Sequence, residues 1–397
     1  MFRVAVEMLM GDKTKYIGLV LGIVFTAFLV TFALSYFAGF MTRGFSLVNE
    51  NPTADVWVMD SAVNSTEATI NMPTSALDLV KSVSGVSYAT PLYIGDVTAR
   101  FPNGHFQTFQ LIGVDDATLS GAPLLKTGLK QNALRLPQSV IVDSGGTKGK
   151  LQTPLHQKDM WSYDGAHLGV ATRKLRYGDE LLIDDRRVIV TGVSHMLGRF
   201  PPRPLMYTTA SNFIRLTPSQ NKRLTFVMVK KQHGISSSVL ANKIHRQTGL
   251  KAITSSEFKK ETVMWYLTNS EDVGDMVNMV ILAMLVGFGV TGVMLYMFTY
   301  ENLKQYAVLK AMGATNKQLS TMVFTQAFIG VLIGSGIGVG IAGLFGEIVS
   351  SADFPFRMMW FAPVTGFLGV FIVSVTAAAI SVRPVLKLEP GVVFASR

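Results

Sequence analysis

The chain contains no cysteine, and only 16% of its residues are charged while 49% are hydrophobic. The first absence excludes disulfides, thiolate metal ligands and a cysteine nucleophile, and it leaves the compartment open, because a cysteine-free domain suits either side of a membrane. The second sets the chain apart from soluble domains, in which about a quarter of residues are charged. Catalytic signatures are equally scarce. There is no HExxH or GxSxG motif, and the six histidines, at positions 105, 156, 167, 195, 233 and 245, lack ligand-like local spacing; His156 and His167 alone are near enough to meet across a loop. A phosphate-cradling P-loop is missing too. The nearest approach, SGGTKGKL at 144–151, has serine where the first glycine is required and leucine where the Mg-binding hydroxyl belongs, so it reads as a polar turn. The expectation is a non-catalytic chain with no cofactor and no metal of its own.

What the chain has is apolar sequence in long runs. Four stretches, 17–40, 277–300, 322–345 and 360–382, are almost free of charge. Each is long enough to cross a hydrocarbon core of about 30 Å as a helix. The first exceeds the about 7–15 apolar residues of a secretory signal and no small-residue cleavage pattern follows it, so it reads as a retained span. Short flanks on one side carry Arg3, Lys13 and Lys15, then Lys304, Lys310 and Lys317, then Arg383, Lys387 and Arg397, whereas the loop between the third and fourth spans has only Arg357. By the positive-inside rule the three basic flanks and both termini are cytoplasmic, in a multi-pass protein of the inner (plasma) membrane. The net charge of +10 then needs no nucleic acid to explain it: nine of the 36 basic residues lie in those flanks, and 26 are scattered along the outer segment.

The expected organisation is a four-span membrane protein with a large mixed α/β extracytoplasmic domain between the first and second spans. Its parts are an interfacial helix at 1–16, spans at 17–40, 277–300, 322–345 and 360–382, an outer domain with its stalk at 41–276, a cytoplasmic hairpin at 301–321, a short outer loop at 346–359 and a tail at 383–397. Residues 2–10 put Phe2, Val6 and Leu9 on one stripe with Arg3 and Glu7 off it, which fits either a helix lying on the membrane or the start of the first span. In the outer segment, strand, helix and strand patterns follow one another at 55–59, 75–83 and 86–89, and again at 224–230, 236–248 and 251–254. Between these units lie strands at 106–114, 139–142, 180–183 and 187–193, with Asp184 and Asp185 as a turn, and a long loop or small lobe at 145–169. Thr254 and Glu257 have capping-box spacing, and no Pro or Gly follows until Gly274, so one helix is expected to continue toward the second span.

Inside the spans, Gly18, Gly22, Gly334, Gly336, Gly338, Gly340 and Gly343 allow close helix contact within or between subunits. Glu347 and Asp353, in the short outer loop beside the fourth span, are candidates for a substrate or interface contact. The hairpin is the most specific segment. Residues 301–312 have helix-forming composition, Gly313 suits a stop, and Thr315 with Gln318 suits a restart. Tyr306, Leu309 and Met312, with Lys304 and Lys310, would form an amphipathic surface able to enter a groove on a partner.

The string ENLKQYAVLKAMGAT at 301–315 resembles the cytoplasmic loop of MacB-like (type VII) ABC permeases. With ADVWVMD at 54–60, ATPLYIG at 89–95, LIGVDDATLSGAP at 111–123, YGDELLIDDRRVIVTGV at 177–193 and LKLEPGVVF at 386–394, the whole chain resembles the DevC and heme-exporter type within that group. The resemblance implies the permease subunit of an ATP-driven exporter working by mechanotransmission. It implies a dimer coupled to two cytoplasmic ATPase subunits that hold the ATP and Mg, often with a periplasmic adaptor and an outer-membrane channel. It places the ATPase contact on Glu301, Lys304, Leu309, Lys310, Gly313 and Ala314, and Tyr306 joins them from the surface reading above. A single chain with full topology favours a homodimer. The alternative is a regulatory transducer resembling FtsX-type proteins, which controls an extracytoplasmic hydrolase and moves no substrate.

Overall fold

The computed structural model describes residues 2–11, 13–128, 130–145, 147, 149–163, 165–218, 224–352 and 354–387. Helices α1 (Phe2–Gly11), α2 (Lys13–Gly44) and α3 (Ser46–Glu50) open the chain. Next come β1 (Val56–Met59), α4 (Ser75–Lys81), β2 (Val86–Arg100), β3 (Phe106–Val114), β4 (Leu125–Gly128), β5 (Ser139–Asp143), β6 (Gln152–Pro154), β7 (Thr172–Lys174), β8 (Glu180–Ile183), β9 (Arg186–Ser194) and β10 (Leu205–Thr209). They lead to α5 (Ala210–Leu216), β11 (Phe226–Lys231), α6 (Ser237–Thr248), β12 (Lys251–Thr254) and α7 (Ser255–Asn269). The chain ends in α8 (Glu271–Glu301), α9 (Leu303–Ala311), α10 (Asn316–Ser351) and α11 (Phe361–Leu386). It divides into a helical unit, up to Phe40 and from Ser270 onward, and an α/β unit, Met41–Asn269.

In the helical unit α2, α8, α10 and α11 are long and apolar enough to cross a membrane, and α2 is the most enclosed of them. Glycines let its neighbours approach closely. A methyl group at Gly338 of α10 would lie 2.6 Å from the Ala27 Cβ and the Val24 carbonyl oxygen, and one at Gly334 would lie 2.5 Å from Ile23. Gly287 of α8 meets Thr26 in the same way, and Gly366 of α11 meets Thr31. The run of glycines in α10 therefore splits: residues two apart point about 200° away from each other, and a Cβ at Gly336 or Gly340 would meet nothing within 4 Å among the described residues. The segment after α10 folds onto α2, where Phe354 and Phe356 stack on Phe32, Tyr36 stacks on Phe354, and the Arg357 amide donates to the Ser35 carbonyl.

The α/β unit joins two layouts through β2. At one end the order β12-β1-β11-β2 is antiparallel throughout, so β1 and β2 run parallel with β11 between them, and β11 and β12 run parallel with β1 between them. Helices α4 and α6 are the crossovers of these two interleaved βαβ units, the split arrangement of ferredoxin-like folds. β2 then continues past Leu92, leaves β11 and pairs with β3 from Tyr93 to Arg100. From there β3, β10, β5, β9 and β8 pair in turn, and β8 returns to β2 at Ala99 and Arg100, closing a six-stranded barrel. Alternation along the strands fills it. Val97, Ala99, Phe109, Leu111, Val140, Val142, Leu181, Ile183, Val188 and Val190 are buried in one cluster, while Asp96, Thr98 and Arg100 face out. The segment expected as a loop or small lobe contributes β6, which pairs with β7 just beyond it.

One sequence expectation is corrected. The helix that starts at Thr254 does not run into the second span: α7 stops at Asn269, Ser270 is extended, and α8 begins anew with Glu271 and Asp272 in its first turn. Thr268 and Asn269 turn their side chains back onto the Met264 and Trp265 carbonyls, satisfying the orphan acceptors that end a helix, and the two acids suit a new N-terminus. In α1, Ala5 and Leu9 are buried with Val4 and Met8 beside them, on the face that packs with α10.

Candidate functional site

The connector between α8 and α10 is built by local rules. Asn302 ends α8: its side chain donates to the Phe298 carbonyl at 2.7 Å, and its own carbonyl accepts from the amides of Gln305 and Tyr306 to start α9. Nine residues later α9 stops. The Gly313 amide donates to Lys310 O at 3.1 Å and the Ala314 amide donates to Leu309 O at 3.0 Å, which together make a Schellman motif with Gly313 at φ +100°. Its usual apolar contact is present, since Leu309 and Ala314 both pack on the same buried cluster. Immediately after, Thr315 and Gln318 form a reciprocal capping box that opens α10.

This framing leaves α9 held on three sides. The Tyr306 hydroxyl donates to Gln326 Oε1 of α10 at 2.9 Å, and Gln326 Nε2 donates to the Ala5 carbonyl of α1 at 3.1 Å. The Lys310 ammonium donates to the Leu386 carbonyl in the last turn of α11 at 3.1 Å. Tyr306 and Ala307 are fully buried, and Leu309, Lys310 and Ala314 are half-buried. Tyr306 is therefore not part of a docking surface: its ring fills the cluster and its hydroxyl is engaged inside it. The outward face of α9 is Lys304, Val308 and Met312, one helical turn apart, with Gln305 and Ala311 beside them. Glu301, the last residue of α8, is exposed at the near end of this face. Glu347 is exposed on the last turns of α10, and Asp353 lies outside the described residues.

Sequence reasoning singled out Glu301, Lys304, Tyr306, Leu309, Lys310, Gly313 and Ala314. It missed Asn302, Val308, Gln326 and the carbonyls of Ala5 and Leu386. The detectable signal was a lone glutamine in an otherwise apolar span, which requires a partner on both ends of its amide.

The α/β unit contains a second polar concentration. Arg199 is almost wholly buried, donating to Ser46 Oγ at 2.7 Å and to Glu50 Oε2 at 2.5 Å. Burial pushes the Glu50 carboxyl up to about 7, with Arg199 opposing the rise and Asp143 adding to it. Asp143 accepts from the amides of Gly145 and Met196 and from Ser194 Oγ. Burial also raises the Tyr207 hydroxyl, which lies in the same field. Arg203 pairs with Glu67, and the Tyr266 hydroxyl donates to the Phe200 carbonyl. These groups fasten residues 195–204 to α3, β5, Glu67 and α7, and none is arranged as a nucleophile with its base. His167 faces Asp159 at 3.1 Å, and among the described residues no group of three or more His, Asp and Glu is placed to hold a metal ion.

Residues 278–390 match the family described as FtsX-like permease C-terminal. No curated protein matches the chain. Among solved structures, the chain is similar to the periplasmic region of MacB from Actinobacillus actinomycetemcomitans, at 15% identity and a TM-score of 0.36, over 56% of this chain and 96% of that one. It is also similar to the extracellular domain of the noncanonic ABC-type transporter YknZ from Gram-positive bacteria, at 14% identity and a TM-score of 0.32, over 51% and 99%. A domain of a putative permease protein from Porphyromonas gingivalis gives 14% identity and a TM-score of 0.32, over 51% and 89%. The stretch similar to that family contains α9, its anchors Gln326 and Leu386, and most of three apolar helices.

Proposed function

We propose that this chain is the permease subunit of an ATP-driven exporter of the MacB type, closest to the DevC and heme-exporter arrangement, in which a separate cytoplasmic ATPase drives the membrane helices through α9. The observation that carries the reading is the connector itself. A nine-residue helix, stopped and restarted by rigid caps and bonded to α10 and α11, has one face uncovered among the described residues: Lys304, Val308 and Met312. An apolar stripe beside a lysine suits a groove with an acidic rim. Leu309, Gly313 and Ala314 then act by holding α9 in shape, and Lys310 by joining it to α11.

By the positive-inside rule the basic flanks favour an orientation with α9 and both termini in the cytoplasm and the α/β unit outside. Closure of two ATPase subunits on a pair of permease chains would shift the α9 helices, tilt the spans, and open and close the two α/β units, expelling a substrate taken from the periplasmic side. A periplasmic adaptor and an outer-membrane channel would complete the path. Co-expression with the partner ATPase tests it: deleting Leu309 and Lys310, or introducing Val308→Asp with Met312→Asp, should abolish the permease-dependent part of ATP hydrolysis and export. Full stimulation in both variants would refute the reading.

The likeness of residues 278–390 to FtsX-like permeases also favours a second reading, in which the same connector drives a regulatory change in an outer hydrolase and nothing is transported. Purification with native partners separates the two: an adaptor protein beside the ATPase supports export, and a cell-wall hydrolase supports regulation.

A further inference from the structure

Three backbone segments far apart in sequence meet on one side chain. Gln326 sits in α10 about 15 Å along the helix from its start at Asn316, and it is buried, as are Tyr306 and Ala5. Its Oε1 accepts from the Tyr306 hydroxyl and its Nε2 donates to the Ala5 carbonyl. The surroundings are apolar: Leu9, Leu19, Ile23, Phe298, Met322 and Val323 belong to the same cluster. An amide in such a place is tolerated only while both of its ends are bonded, and neither partner has water to turn to.

We propose that Gln326 is a positioning residue that makes the N-terminal helix α1 part of the transmission, so that α1 moves with α9. The inference rests on the reading of α9 as the input. Withdrawing Tyr306 from α10 strands Gln326 Oε1, and lifting α1 away strands Gln326 Nε2 and leaves the buried Ala5 carbonyl with only its helical partner. Tyr306 and Ala5 are therefore held in register by one amide, and a displacement at either is resisted by the other. On this account α1 is a lever seated on α10, in addition to whatever it contributes at the membrane surface.

The test is hydrogen–deuterium exchange on the full-length chain purified with its ATPase, comparing wild type with Tyr306→Phe and Gln326→Leu. Both variants keep volume close to the original, and Tyr306→Phe removes only a hydroxyl. Exchange of the α1 amides should rise on the order of fivefold in each, the size of one or two lost buried hydrogen bonds, with α8 unchanged. The ATPase stimulation of Tyr306→Phe should fall severalfold. Unchanged α1 exchange in both variants overturns the proposal, and so does faster α1 exchange with full stimulation. Failure of the α9 reading itself would show separately, as full stimulation in Val308→Asp with Met312→Asp, a pair that touches neither Tyr306 nor Gln326.

Discussion

The Lys310 ammonium lies 3.1 Å from the carbonyl oxygen of Leu386, so the last turn of α9 ends against the last turn of α11. A cation at a helix C-terminus meets the negative end of the macrodipole and donates to one of its last-turn carbonyls, a contribution of about 0.5–1 kcal/mol.

Replacing Lys310 by methionine should therefore loosen α11 locally and leave the bundle folded. Amides at 382–387 are expected to exchange a few times faster in Lys310→Met and at the original rate in Lys310→Arg, with ATPase stimulation following the same order. Equal exchange in wild type and Lys310→Met would mean that the contact carries no weight.

Gly313 is the second local determinant. At φ +100° an L side chain is strained even though open space surrounds the position. Gly313→Ala should cost about 1 kcal/mol or somewhat more, and the strain falls on the stop of α9. Partial tryptic cleavage at Lys310 and Lys317 should accelerate in this variant and not in Ala314→Ser, which leaves the turn intact.

What was legible in the sequence was what is local. The stop at Gly313 and the restart at Thr315 and Gln318 each depend on residues within five positions, and the structure forms both. The strands at Phe106–Val114 and Glu180–Ile183, and the turn at Asp184 and Asp185 with both φ values positive, follow in the same way from alternation and turn chemistry. The barrel was not legible. Only the first four residues of β2 read as strand, because Pro91 and Gly95 weaken the pattern beyond them, and its closure depends on β8 some eighty positions later. Tyr306 misled for a related reason. Spacing along α9 does not reveal which stripe faces inward, and the answer lay in Gln326, twenty residues on.

The glycines of α10 make opposite predictions on opposite faces. Gly338 leaves no room for a larger side chain against Val24, Ala27 and Phe28, whereas Gly336 faces open space within the chain. Gly338→Leu should force α10 away from α2 and cost several kcal/mol by overpacking and lost contact, seen as aggregation or loss of the folded peak in detergent chromatography. Gly336→Leu should give a monodisperse chain of unchanged thermal stability. If both behave alike, the assignment of faces is wrong.

The buried Glu50 gives the α/β unit a pH dependence whose sign follows from its cause. Burial raises its folded pKa from 4.5 to about 7, so between these values the folded unit holds a proton that the unfolded chain releases. Stability must then fall as pH rises through that window, by up to about 3 kcal/mol if Glu50 acts alone, and level off above it. Glu50→Gln keeps a hydrogen-bonding group beside Arg199 and cannot ionise, so its slope between pH 5 and 7 should be flatter than that of the wild type. The fluorescence of Trp57, Trp161 and Trp265, all in this unit, reports urea unfolding of the full chain at each pH. Should the variant and the wild type lose stability in parallel across that range, Glu50 is ionised throughout and its pairing with Arg199 outweighs the cost of burial.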